Sequence, residues 1–410
     1  MLSRCIGIDT DVFAAEYWGH KPLLSRSGAL PRDFRDVLSP DMVDELIAER
    51  GVRAPFIRLA KEGHVLSKDS YLGPAGFGAE IADQVDSAKV LGQLGSGATV
   101  VLQGLHRLWP PLIDFVRQAV DDIGHPVQAN AYITPPGNRG FDFHYDVHDV
   151  FVLQVSGTKR WIVHAPVHVH PLPSQPWTDH RDQIAERVTG EPVIDVELSE
   201  GDALYLPRGW VHAAQTLDTT SIHLTIGVAA TTAVDIARAV LDELGAVEEL
   251  RAPLPLGINP VDKDVVAATT AKVIAQIAGH LRDNAEVLST AAAERLIARH
   301  GSRTRAEAVR PLATMRAAEQ ADTVHVRWRR GLTATITPEV DGRVALSLPD
   351  KTIRFPVVCS DALQELITGR TADATALPGL DGADGAVLIR RLLREGVLVP
   401  SPHQPGPPLG

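Results

Sequence analysis

"NAYITPPGNRGFDFHYDVHDVFVLQVSGTKRWIVHAP" runs from Asn130 to Pro166. It joins β-branched and aromatic runs through a Pro-Pro-Gly turn, and it carries the triplet His144-Tyr145-Asp146. In an extended chain, residues i and i+2 project to the same side. His144 and Asp146 are therefore expected to stand together on one face. The stretch "DVFVLQVSGTKRWIVHAP" reads as a hairpin turning at Ser156-Gly157-Thr158.

A site of two histidines and one carboxylate needs a third ligand and leaves metal positions open. "GDALYLPRGWVH" offers one, with Gly201, Pro207 and Gly209 leading to His212. The Pro-Gly turn is expected to set that histidine at a barrel mouth. The chain has 16 histidines, so spacing alone is weak. His180-Arg181-Asp182 repeats the spacing inside "PSQPWTDHRDQIAERV", which reads as loop and helix start. His148, His164, His168 and His170 read as surface or satisfied histidines. The pairing of the first triplet with the Gly-Pro-Gly-His frame is what makes the signal strong.

Outward from this core, short strand-like runs and turns continue from about Val127 to Val228. Alternation puts Asn130, Tyr132 and Thr134 on one face, Lys159 and Trp161 on one face, and His223, Thr225 and Gly227 on another. Apolar residues oppose them. Such rows fit a barrel with a polar interior and helices packed outside. An interior Lys159 calls for a carboxylate, since an unpaired buried ammonium is costly. A dicarboxylate chelating a metal at one end and pairing with Lys159 at the other would satisfy it.

The first hundred residues read as mixed and helix-rich, with helices in "PDMVDELIAERG" and "HRLWPPLIDFVRQAVDDIG". From Thr231 to about Ala321 the chain turns alanine-rich, with helical periodicity. From Asp322 to about Pro400, strands with an Asp341-Gly342 turn accompany two helices, as in a winged helix. The expected divisions are 1–229 (catalytic barrel with an N-terminal helical part), 230–321 (helical dimerisation), 322–400 (winged-helix-like) and 401–410 (disordered tail).

Composition fits a globular protein, with 44% hydrophobic and 22% charged residues over 410. A net charge of −11 argues against a general nucleic-acid surface. Two cysteines suggest no disulfide framework. The first residues turn acidic and polar too early for a signal peptide, and no apolar run spans a bilayer. A cytoplasmic location without a membrane partner is expected.

The Asn130–Trp161 segment, "FAAEYWGHKPLL" (Phe13–Leu24) and "GATVVLQGLHRLWPPL" resemble the JmjC oxygenases, specifically their ribosomal-oxygenase (cupin-4) branch. The resemblance implies an α+β fold: a double-stranded β-helix (cupin) barrel with flanking helices, a helical dimerisation region and a C-terminal winged helix. It implies Fe(II) on His144, Asp146 and His212, and Lys159 for the distal carboxylate of 2-oxoglutarate. It puts Asn130 and Tyr132 near the co-substrate, with Thr134 on the same face. Gly227 stands where some relatives carry a small polar residue. The implied reaction consumes O₂ and 2-oxoglutarate and hydroxylates an arginine or histidine side chain of a ribosomal protein, in a homodimer. Three other readings stay open: a tailoring hydroxylase of a peptide natural product, a non-oxygenase metal-cupin isomerase or binding module, and an idle winged-helix interaction protein. HxD rather than HxH, Lys159 and the intact triad weigh against the last two.

Overall fold

The computed structural model describes residues 1–401 apart from Ala79 and Gly140, so all of the expected tail but Ser401 lies outside the described residues. The chain divides into two compact units, Met1–Ala230 and Thr231–Gly410.

The first unit has helices α1 (Thr10–Glu16), α2 (Pro40–Ala48), α3 (Ser87–Gly95), α4 (Pro110–Ile123) and α5 (Arg181–Arg187). Its strands are β1 (Leu23–Ser25), β2 (Ile57–Lys61), β3 (His64–Val65), β4 (Leu72–Gly73), β5 (Gln84–Val85), β6 (Thr99–Leu102) and β7 (Val127–Thr134). They continue with β8 (Asp149–Ser156), β9 (Lys159–His164), β10 (Ile194–Leu198), β11 (Ala203–Leu206), β12 (Val211–Thr216) and β13 (Ser221–Val228). Among the described residues the large sheet runs β1-β11-β8-β13-β7-β6-β2-β3, and a smaller one runs β10-β9-β12.

One sequence expectation fails here, for a physical reason. The segment around Ser156-Gly157-Thr158 is not a hairpin: β8 pairs with β13 and β11, whereas β9 pairs with β10 and β12. The turn instead carries the chain from one sheet to the other. Gly157 has φ +65, and a Cβ there would run into the Thr220 carbonyl oxygen. The N-terminal hundred residues are mixed, with α1, α2 and α3 set among short strands. They extend the large sheet with β1, β2, β3 and β6.

Burial follows the alternation. Ala129, Ala131 and Ile133 of β7, Leu224 and Ile226 of β13, and Phe151 and Leu153 of β8 share one core with Leu112 and Phe115 of α4. Proline at its first positions starts α4, where the missing N–H costs nothing. The opposite face looks into the barrel. Part of that interior is apolar: Val150, Val152, Trp161, Val163, Leu204 and Leu206 cluster there.

The second unit begins with α6 (Ala233–Glu243), α7 (Glu248–Arg251), α8 (Lys263–Asp283) and α9 (Ala285–Thr304). Thr232 and Asp235 form a reciprocal cap at the start of α6. Next come α10 (Pro311–Glu319) and β14 (Val326–Trp328), then the meander β15 (Thr335–Pro338), β16 (Arg343–Ser347) and β17 (Thr352–Pro356). Helices α11 (Ser360–Ile367) and α12 (Gly382–Arg394) follow, and β18 (Leu398–Pro400) pairs with β14. Ala317, Trp328, Leu346, Phe355, Leu363 and Leu392 belong to one core that joins these last elements. Among the described residues, no helix is long and apolar enough to cross a membrane.

Candidate metal centre

His144, Asp146 and His212 converge. One ligand-capable atom of each lies within 4.8 Å of the others. His144 and Asp146 are not in a regular strand. Between β7 and β8 the chain is extended and irregular, with His144 forming one isolated bridge to His212 at the start of β12. The bridge is reciprocal: His144 N donates to His212 O at 3.1 Å, and His212 N donates to His144 O at 2.8 Å. Gly209 N donates to Asp146 O at 3.0 Å. The Pro-x-Gly turn thus ties all three residues through the backbone, before any ion is considered.

Ring orientation is also set locally. His144 Nδ1 lies 2.7 Å from the Asp142 carbonyl, and His212 Nδ1 lies 2.9 Å from the Trp210 carbonyl. A carbonyl accepts only, so both rings carry hydrogen on Nδ1 and offer Nε2. That is the usual fixing of a metal-binding imidazole by its other nitrogen. His212 Nε2 stands 3.9 Å from Asp146 Oδ2. Two neutral imidazole nitrogens and a carboxylate suit a divalent transition metal and leave positions open. Burial, then the neighbouring His144, pushes His212 down to about 4, so the ring is neutral at pH 7. Burial alone would raise the Asp146 carboxyl, but His148, His144 and His212 outweigh it and hold it below its ordinary value.

The triad faces a cavity that Lys159, Tyr132, Trp161 and His223 also line. Lys159 is buried, and its Nζ donates to Thr134 Oγ1 at 3.2 Å. Thr99 Oγ1 donates to the same Thr134 oxygen at 3.2 Å. With a hydroxyl as its partner, Lys159 is pushed down to about 7 by burial. Arg160 points the other way, its Nε donating to Asp195 Oδ1 at 2.7 Å. The rings of Tyr132 and His223 stack, with centroids 5.0 Å apart.

The other sequence candidates separate. Asn130 does not line this cavity, because its Oδ1 accepts from Gly104 N at 3.0 Å. At Gly227 a Cβ would stand 2.5 Å from the His148 ring, so His148 fills the space a side chain would take. His180 stacks on His168 at 4.7 Å and lies 2.7 Å from Gln183 Oε1 through Nδ1. Among the described residues, His180 and Asp182 belong to no metal-capable group.

Residues 112–236 match the JmjC domain family. This part of the chain carries the likeness to JmjC domains. A Drosophila melanogaster protein named bifunctional lysine-specific demethylase and histidyl-hydroxylase NO66 is 31% identical over 229 residues, 54% of this chain and 32% of that protein. The Drosophila persimilis protein of that name is 44% identical over 101 residues, 24% of this chain and 14% of that protein. The chain therefore matches less than a third of the length of these curated relatives. A solved structure of YcfD, an Escherichia coli ribosomal oxygenase, in complex with cobalt and 2-oxoglutarate is 17% identical, with a TM-score of 0.51, covering 97% of this chain and 99% of that one. Another YcfD structure reaches a TM-score of 0.55 at 18% identity, covering 96% and 98%. At such identities the likeness concerns the fold.

Four residues lining the cavity have no place in the sequence expectations: Arg58, Thr99, Phe141 and Trp177. Arg58 and Thr99 come from β2 and β6, which the sequence reading left outside the barrel. The alternation of Ile57, Arg58 and Leu59 was a usable signal. Trp177 comes from the polar insert, where only the histidine drew attention.

Proposed function

We propose that this protein is a cytoplasmic Fe(II)- and 2-oxoglutarate-dependent oxygenase that hydroxylates an amino-acid side chain of a ribosomal protein or similar polypeptide. One observation carries the reading: His144, Asp146 and His212 face the same cavity as Lys159, whose buried amine meets a hydroxyl and, among the described residues, no carboxylate. The triad would hold Fe(II) through two Nε2 atoms and one carboxylate oxygen. The bound ion supplies O₂ activation coupled to oxidative decarboxylation of 2-oxoglutarate. Lys159 would bind the far carboxylate of 2-oxoglutarate, and Thr134, held by Thr99, steadies the ammonium. The apolar Val150, Val152 and Trp161 keep water from that end of the cavity. Tyr132 and His223 form a flat stacked wall beside it. The likeness to the fly proteins named histidyl-hydroxylases and to the YcfD complex with cobalt and 2-oxoglutarate supports the reading.

Incubation with Fe(II), 2-oxoglutarate and candidate ribosomal proteins, followed by intact-mass analysis, tests it. A gain of one oxygen on one protein is expected. No gain on any, with no succinate formed, would overturn it.

We assign 1–229 to the catalytic part, 322–400 to a winged-helix-like part that takes no nucleic acid, and 230–321 to homodimer formation. Helix α8 buries no residue among those described, and Val265, Val266 and Ile274 lie exposed on it. A helix that buries nothing of its own normally packs against a partner. Light scattering should give a dimer at micromolar concentration, and a monomer would refute the assignment.

A further inference from the structure

One cation of the cavity has no part in the chemistry described so far. Arg58 lies on β2, registered with Val101 of β6. Val101 is registered with Tyr132, and Tyr132 with His223. The four make one row across the sheet, and Arg58, Tyr132 and His223 line the cavity. The Arg58 guanidinium sits 5.6 Å from the Phe141 ring centroid. It also lies against the Tyr132 hydroxyl, opposing the rise that burial gives that phenol. Its Nε is buried without a partner. Among the described residues, no carboxylate is paired with it.

Charge counting gives this cation a consequence. Asp146 brings one negative charge, and Lys159 and Arg58 bring one positive charge each. A divalent ion adds two positive charges and a dicarboxylate two negative. One positive charge remains, and among the groups counted Arg58 is the one left without a counter-charge.

We infer that Arg58 selects the substrate side chain: with Phe141 and Tyr132 it forms a recess for an uncharged or acidic side chain that offers a hydrogen-bond acceptor, and it repels arginine and lysine. This rests on the oxygenase reading above. Between the two side chains the sequence left open, it favours histidine, as the neutral imidazole, over arginine. Guanidinium donors reward an acceptor in fixed geometry, while a second cation brought beside this half-buried one is repelled. Specificity then comes from a repulsive element as much as from an attractive one.

The test uses the full chain loaded with Mn(II) and 2-oxoglutarate under argon at pH 8. The probes are the N-acetyl amides of histidine, asparagine, aspartate and arginine. Broadening of their side-chain proton signals by Mn(II) reports binding beside the metal. The first three should bind at least about tenfold more tightly than the arginine probe. Arg58→Lys should keep that order. Arg58→Glu should invert it for aspartate against arginine. Because each comparison is a ratio within one variant, a loss of stability does not imitate the result. The inference is overturned if the arginine probe binds tightest in the wild type, if Arg58→Glu leaves the order unchanged, or if no probe is broadened. Broadening of the 2-oxoglutarate methylene signals is read separately. If that is missing, the oxygenase reading fails and the selectivity falls with it; if it is present, a wrong probe order sinks the selectivity alone.

Discussion

His144-Tyr145-Asp146 and His180-Arg181-Asp182 share a spacing and little else. The first lies in an extended segment whose backbone is bridged to His212. There, residues two apart face the same way. The second straddles the start of α5, where residues two apart stand about 200° apart around the helix axis. The first also faces a cavity with a buried lysine, whereas the second stacks on His168. A metal site thus needs direction, a third donor and a reason for the ion's partners to bind. Spacing supplies none of the three by itself.

The largest effect expected is on Asp146. Asp146→Ala removes the only carboxylate of the triad and leaves two neutral rings. Mn(II) affinity should fall by at least about a hundredfold, more than loss of an outer partner typically costs, and succinate formation should disappear. Calorimetric titration with Mn(II) checks this. Wild-type affinity in the variant would show that the first triplet is no more a site than the second.

The next effect sharpens what sets the first triplet's surroundings apart. Lys159→Ala should weaken 2-oxoglutarate binding by about ten- to a hundredfold, since a charge-assisted contact is worth roughly 1.5–3 kcal/mol. Mn(II) binding should change far less, and Arg160→Ala should leave 2-oxoglutarate affinity nearly untouched, because Arg160 is exposed and paired with Asp195. The same lysine gives a pH signature. Its folded value of about 7 lies below the unfolded 10.5, so at pH 8 the empty site holds it mostly neutral. Between those values the unfolded chain binds more protons, so the stability of the ligand-free protein should rise with pH from 7 toward 10.5. A dicarboxylate favours the charged form, so binding at pH 8 should take up close to one proton. Titrations in buffers of different ionisation enthalpy measure that uptake. No uptake, or the same uptake in Lys159→Ala, would detach the co-substrate from this residue.

Much of this was legible in the chain, and its limits have physical causes. Lys159 and the polar rows of β7 and β13 follow from alternation, which the backbone enforces, whereas His144 and Asp146 sit in a bridged segment outside any strand and His212 follows from the Pro-x-Gly turn before it. The connection at Gly157 was not legible as a crossing. Two strands joined by two residues normally pair, and only the distant partners β13, β10 and β12 show that these do not. For Arg58 the alternation of Ile57, Arg58 and Leu59 marks a strand but not its partner, and the pairing of β2 with β6 is what brings it to the cavity. Asn130 had the correct face but lay at the wrong end of it, where the Gly104 amide claims its oxygen.

The smallest effect belongs to the second triplet. His180→Ala should change Mn(II) affinity by less than about twofold. The substitution removes a ring stacked on His168 and a bond to Gln183. Such an aromatic contact is worth about 0.5–1.5 kcal/mol, which in a unit of this size lowers the melting temperature by only a few degrees. One route could still couple it to the metal: its ring lies 6.1 Å from that of Tyr145, between the two first-triplet ligands. That route is blocked by the way Tyr145 is held. Its ring is buried with Ile184 and Val211, and its hydroxyl donates to the Gln175 carbonyl at 3.0 Å. His144 and Asp146 are fixed independently by the backbone bonds to His212 and Gly209. Removing His180 therefore opens space beside Tyr145 without freeing either ligand. A tenfold loss of Mn(II) affinity in His180→Ala, at a melting temperature within a few degrees of wild type, would show that the two triplets are coupled through Tyr145, and the contrast between them would no longer hold.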